Sequence, residues 1–298
     1  VEPPGGADVV SLDDLRDASG TFRILAVDHR DSLRAFLAPD APIGVAAATL
    51  TSIKIDLVRA IGPHSTGVML EPEYSIPQVL DAGALPAGLG FVAALESQGY
   101  LADPGARPTT VLTGWSAAQA AEAGAAAAKL LLPYHPDHPL AEAQHEVAAD
   151  VLESCRAAGL PLVLEPLFFG LADPSDRPRV VRTTVDTFVE LAPDLLKLPF
   201  PVDIVTEPDP DVWFEHCSRI TGRCTMPWTL LSGGGTFDAF AAQAEVAMRA
   251  GCSGYMVGRA LWGEAARASG DERARLIDEL VLPRWRRLHA VMATGGAR

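Results

Sequence analysis

Positive charge is scarce in this chain. Its 24 lysines and arginines face 38 aspartates and glutamates, a formal net charge of -14 over 298 residues. That balance argues against non-specific binding to nucleic acid or to an anionic membrane, so neither is an expected partner. An anionic small-molecule ligand would need a local cationic site, which gives single lysines and arginines unusual weight. Cysteine is sparse as well. Cys155, Cys217, Cys224 and Cys252 form no C-x-x-C pair, and none stands at zinc-finger spacing from a histidine. They read as packing thiols in a reducing compartment, and the expected location is the cytoplasm. No apolar run reaches the roughly eighteen residues that a membrane helix needs. Residues 1–10 lack a charged segment followed by an apolar one, so no secretory signal is visible there. That Pro/Gly-rich stretch is expected to be a flexible arm on a single domain covering residues 1–298. Also missing is a G-x-G-x-x-G fingerprint after the first apolar run, which weakens an open dinucleotide-binding sheet.

What is present is a series of eight compact apolar runs, starting near Arg23, Gly67, Ala87, Ala128, Pro161, Leu195, Met226 and Gly254. Continuous rather than alternating apolar character marks strands covered on both faces. Helical patterns lie between most of them, at about residues 43–61, 117–128, 140–158, 180–191, 212–220 and 236–250. Ser11 followed by Asp13 and Asp14 reads as a helix N-cap with acids in the first turn. Eight such strands alternating with helices predict an α/β fold, a (β/α)₈ TIM barrel.

Polar residues fall on or after these runs: Asp28-His29-Arg30, Glu71 and Glu73, Glu96, Lys129, Glu165, Lys197, Ser232 and Arg259. Charged side chains on nearly every barrel strand must be paired, either in an active site at the carboxyl ends of the strands or in an ion network that satisfies only itself. Lys197 lies in the middle of DLLKLPF. A lysine among leucines loses hydration and tends to lose its proton, and a neutral amine attacks carbonyls. The competing reading is a lysine that carries its head to the strand end and pairs with an acid. If Lys129 points into the same barrel, each cation disfavours the other, so one can turn nucleophilic while the other binds anionic oxygen. Glu165 is the expected carboxylate partner. Ser232-Gly233-Gly234-Gly235 before a helix, together with Gly258-Arg259 after the eighth run, matches the usual phosphate site of this fold.

These segments resemble the class I (Schiff-base) aldolases, the family of tagatose-1,6-bisphosphate aldolase and sulfofructose-phosphate aldolase. The resemblance rests on LAVDHR, EPEYSIP, AAKLLLPY, LVLEP, DLLKLPFP, MPWTLLSGG and GYMVGRALW, in that order from Arg23 to about Trp262. It implies a TIM barrel that cleaves a ketose phosphate into dihydroxyacetone phosphate and an aldehyde, without metal or other cofactor. It places the Schiff-base lysine on Lys197, the second lysine on Lys129, the carboxylate on Glu165 and the strand-one acid on Asp28. The phosphate turns fall on Ser232-Gly233 and Gly258-Arg259. Two positions depart from the family's pattern: His29 stands where glutamine is usual, and Pro199 where a glutamate follows the Schiff-base lysine. His29 and Arg30 therefore count as candidate substrate contacts, with pairing to Asp28 the alternative for His29. The expected ligand is a phosphorylated sugar.

Other readings stay open. One is a related lyase or transaldolase acting on a deoxy-keto sugar acid phosphate; another is a barrel that binds sugar phosphates without chemistry. His135, His138 and His145 could hold a metal but read as a solvated loop. Trp115, Trp213, Trp228 and Trp285 read as core or interface. A homo-oligomer is expected, with residues 285–287 of the last helix as the contact.

Overall fold

The structure, a computed structural model, describes residues 11–97 and 107–295. The expected arm at residues 1–10 lies outside these. Eight parallel strands close on themselves in sequence order: β1 Phe22–Ala26, β2 Gly67–Leu70, β3 Phe91–Ala94, β4 Ala127–Pro133, β5 Leu162–Leu167, β6 Leu195–Leu198, β7 Trp228–Leu231 and β8 Gly254–Val257. The ring is completed by β8 pairing with β1, Ile24 opposite Met256. The helices are α1 Asp31–Leu37, α2 Ala47–Ile61, α3 Ile76–Asp81, α4 Ala117–Glu122, α5 Ala141–Ala157, α6 Arg177–Phe188, α7 Pro210–Arg223, α8 Phe237–Arg249, α9 Arg259–Arg267, α10 Gly270–Leu276 and α11 Leu282–Gly295. This is the expected TIM barrel.

Two hydrophobic clusters divide the core. The larger lies between the strands and the helices; the smaller fills the barrel interior with Phe22, Ile24, Ala26, Met69, Val92, Ala127, Val163, Leu195 and Met256. Leu15 closes the amino end of the barrel. A Cβ on Gly67 or Gly90 would come within 2.7 or 3.0 Å of its Cδ2, so side chains there would push this plug out. The plug sits on a short 3₁₀ turn, Leu12–Leu15, capped by Ser11 and Asp14 as the sequence indicates.

A strand's side chains alternate between faces, so the residue two positions beyond an interior one is also interior. That rule builds the site. Ala26 leads to Asp28, Ala127 to Lys129, Val163 to Glu165 and Leu195 to Lys197. An apolar layer thus carries a charged layer directly above it, at the carboxyl ends of the strands.

Some expectations shift. The run expected from Ala87 becomes a strand only at Phe91, because Gly88 turns the chain with φ +77. The helix expected over 117–128 ends at Glu122, since Gly124 at φ +84 redirects the chain into β4. Trp285 is a core residue. It is fully buried within this chain and donates from its indole nitrogen to the carbonyl of His64 at 3.0 Å. No helix among the described residues is long and apolar enough to cross a membrane.

Candidate active site

Lys129 is the hub. Its Nζ lies 2.7 Å from Asp28 Oδ2, 2.8 Å from Glu96 Oε1 and 3.3 Å from Glu165 Oε2, with the side chain 1% exposed. Burial works against the charged amine, but the three carboxylates outweigh it and hold its pKa well above the ordinary lysine value. Asp28 shows the converse. Burial would raise its pKa, yet the charges of Lys129 and Lys197 hold it far below the usual carboxylate range. Lys129 is therefore a fixed cation and Asp28 a fixed anion.

Lys197 is placed differently. Its Nζ is 2.9 Å from Glu165 Oε2 and 3.7 Å from the Met69 sulfur, and it has no second carboxylate at ion-pairing distance among the described residues. The pairing of Leu164 with Leu196 brings Glu165 level with Lys197 on adjacent strands. One oxygen of Glu165 thus reaches both lysines. The lysines do meet in one interior, as expected, but with a carboxylate between them.

Glu96 is a member of this layer to which the sequence reading gave no role. Beyond Lys129 it accepts the Leu131 amide at 3.1 Å, and Arg30 lies 3.5 Å from its carboxylate and donates to its carbonyl at 2.6 Å. The signal was available: Glu96 stands four residues, two interior steps, beyond Val92. Arg30 is 1% exposed and also pairs with Glu73 at 2.7 Å. Arg30 therefore braces the ends of β2 and β3. Behind it, Lys54 pairs with Glu71, both fully buried, and Glu71 also accepts the amides of Glu73 and Tyr74. This pair fixes the loop that presents Glu73.

His29 stands with Nδ1 3.8 Å from Asp28 Oδ1, its ring edge-on to Trp262 at 5.5 Å. Burial pushes its pKa down to about 3, despite the pull of Asp28, so it is neutral near pH 7. Its Cε1 would lie 2.6 Å from a Cβ on Gly258, which makes glycine necessary there.

The turns after β7 and β8 are joined, the Gly258 amide donating to Ser232 Oγ at 3.4 Å. Arg259 approaches Gly234 from the α1 side, where it donates to the Ser32 carbonyl at 3.4 Å. It borders a wide cavity of about 690 Å³ that Arg34, Phe36 and Ile43 also line. His135 and His138 pack on Phe169 in the loop after β4, and no group of residues suited to a metal ion occurs among the described residues.

A profile of the DeoC/LacD family aldolases matches residues 22–264. The chain belongs to that family. It is 25% identical over 296 residues to tagatose 1,6-diphosphate aldolase of Staphylococcus aureus, covering 90% of this chain and 89% of that protein. The same enzyme of Listeria monocytogenes is 25% identical over 287 residues, covering 88% and 83%. Among solved structures, an archaeal fructose-1,6-bisphosphate aldolase with its catalytic lysine bound to the carbinolamine intermediate superposes with a TM-score of 0.64. It is 18% identical and covers 94% of this chain and 97% of that one. The resemblance to class I aldolases read from the sequence is borne out, and its fold with it.

Proposed function

We propose that this aldolase cleaves a ketose 1-phosphate reversibly to dihydroxyacetone phosphate and an aldehyde, with Lys197 as the Schiff-base nucleophile. The observation that carries the reading is the unequal setting of the two lysines. Lys129 is locked to three carboxylates, whereas Lys197 faces one, Glu165, which can take its proton. Released in this way, Nζ attacks the C2 ketone to form a carbinolamine. Glu165 returns a proton to the departing hydroxyl, water leaves, and an iminium remains. The C4 hydroxyl then gives up its proton to Glu165, the C3–C4 electron pair moves into the iminium, and the aldehyde leaves. The resulting enamine is protonated at C3 and hydrolysed to dihydroxyacetone phosphate, which frees the lysine.

Asp28 and Glu96 keep Lys129 charged and aimed, so that its ammonium can orient a substrate hydroxyl. The joined turns at Ser232-Gly233 and Gly258-Arg259 present backbone amides and a guanidinium to the phosphate. His29 and Arg30 lie beside Asp28 at the same end of the barrel. Pro199, buried two residues beyond Lys197, stands where the resembling enzymes carry an acid.

The test is a panel of fructose, tagatose and 6-sulfo ketose phosphates together with a deoxy-keto sugar acid phosphate, with dihydroxyacetone phosphate release coupled to NADH oxidation. Release from any of the first three supports the reading. Cleavage of the sugar acid phosphate alone, to a different three-carbon product, would replace the substrate class.

A further inference from the structure

A cavity of about 130 Å³ opens at the carboxyl ends of β6 and β7, lined by Arg177, Phe200, Ser232, Gly233, Gly235 and Gln243 among others. It lies on the opposite flank of the glycine turn from Arg259. Arg177 is held in place on two sides: its Nε donates to the Phe200 carbonyl at 2.9 Å, and its guanidinium lies 5.0 Å over the Phe168 ring. Its Nη nitrogens have no hydrogen-bond or ion-pair partner among the described residues, and neither has the side-chain amide of Gln243. Asp203 acts on Arg177 only from beyond ion-pairing distance.

The fully buried arginines Arg30 and Arg273 meet acids, Glu73 and Asp56, whereas half-buried Arg177 meets none within ion-pairing distance among the described residues. A fixed, partly desolvated guanidinium with free N–H groups facing a small polar cavity is suited to an oxyanion. The turn beside it has Gly233 at φ +57 and Gly234 at φ +77, glycines with no side chain to stand between the backbone and an anion. The cavity has room for about four waters at roughly 30 Å³ each, and so for a phosphoryl group. Ser232 is three residues beyond Thr229, the register partner of Lys197, so the cavity mouth stands about 10 Å along the strands from Lys197.

We propose that Arg177, with Gln243, forms the second wall of the phosphate site, closing the Ser232–Gly235 turn from the side opposite Arg259 and supplying charge to the phosphate of the substrate. This rests on the ketose-phosphate reading above. Nothing in the sequence marks Arg177, which lies ahead of the helix expected over about residues 180–191.

Borohydride trapping with dihydroxyacetone phosphate and with unphosphorylated dihydroxyacetone tests it, in wild type, Arg177→Met and Arg177→Lys. For Arg177→Met, the concentration for half-maximal trapping by the phosphate ester is expected to rise at least tenfold, while that for dihydroxyacetone is unchanged; Arg177→Lys recovers part of the loss. Inorganic phosphate should protect wild type against trapping by dihydroxyacetone phosphate and fail to protect Arg177→Met. Equal shifts for both ketones, or unchanged phosphate protection, overturn the proposal. Should wild type form no adduct, the Schiff-base reading fails, and thermal stabilisation by inorganic phosphate decides Arg177 alone. Stabilisation of wild type but not of Arg177→Met upholds it; no difference between them overturns it.

Discussion

Replacing Lys129 with methionine removes the one cation that Asp28, Glu96 and Glu165 share at 2.7, 2.8 and 3.3 Å. The three carboxylates are then left in a barrel interior where they are 3–5% exposed. Breaking a buried pair by removing one partner costs about 3–5 kcal/mol, because the remaining charge is uncompensated. At roughly 2–4 °C per kcal/mol for a large domain, Tm should fall by about 6–20 °C near pH 7. The sign of the pH dependence should also change. In wild type Asp28 has a folded pKa below its ordinary 3.8, so its contribution is present above that value and lost as pH falls through the folded pKa. In Lys129→Met, burial, the largest influence on Asp28, is opposed mainly by the weaker attraction of Lys197, so its folded pKa should lie above 3.8. The variant then loses stability as pH rises through the range from about 4 toward neutral. Thermal melts at pH 5.0 and 7.5 read this directly. The variant should melt higher at pH 5.0, and the gap to wild type should widen at pH 7.5. A drop of less than about 1 kcal/mol, the worth of an exposed pair, with an unchanged pH slope would refute the assignment of Lys129 as the hub of a buried network.

Three further outcomes follow from the same geometry. Gly258→Ala sets a Cβ 2.6 Å from His29 Cε1; a destabilisation of about 1–3 kcal/mol in urea melts is expected from overpacking, with turnover falling at least tenfold. Nuclear magnetic resonance titration should find the His29 imidazole neutral down to about pH 3. An unfolded histidine takes up a proton below about 6.5, so this residue's contribution to stability is lost as pH falls from 6.5 toward 3. Lys54→Met strands Glu71 and should cost about 3–5 kcal/mol, while covalent trapping of substrate persists in the folded fraction, since Lys54 supports a loop and not the reacting atoms.

The strands were legible because each is buried on both faces, so continuous apolar runs marked all of them. The candidate site was legible for a related reason. A charged residue such as Lys129 or Lys197 inside a run that is otherwise apolar stands out, and the two-residue alternation places it in the barrel. Less could be read where partners are distant in sequence. The sequence separation of 101 between Asp28 and Lys129 hides their contact, and the sharing of Glu165 by two lysines depends on strand register. Helices α1 and α3, with 7 and 6 residues, are too short for a helical period to emerge. Trp285, read from the sequence as core or interface, faces inward in the fold, while Arg287, two residues on, reaches out to Asp238. Arg177 left no trace in the sequence because its distinction is a missing partner.

The most direct measurement is the site of covalent capture. Wild type, Lys197→Met and Lys129→Met are incubated with dihydroxyacetone phosphate and borohydride, digested, and mapped by mass spectrometry. The reduced adduct is expected on Lys197 in wild type, absent from Lys197→Met while that variant retains its fold, and still on Lys197 in whatever fraction of Lys129→Met stays folded. An adduct on Lys129, or none in wild type, would contradict Lys197 as the nucleophile.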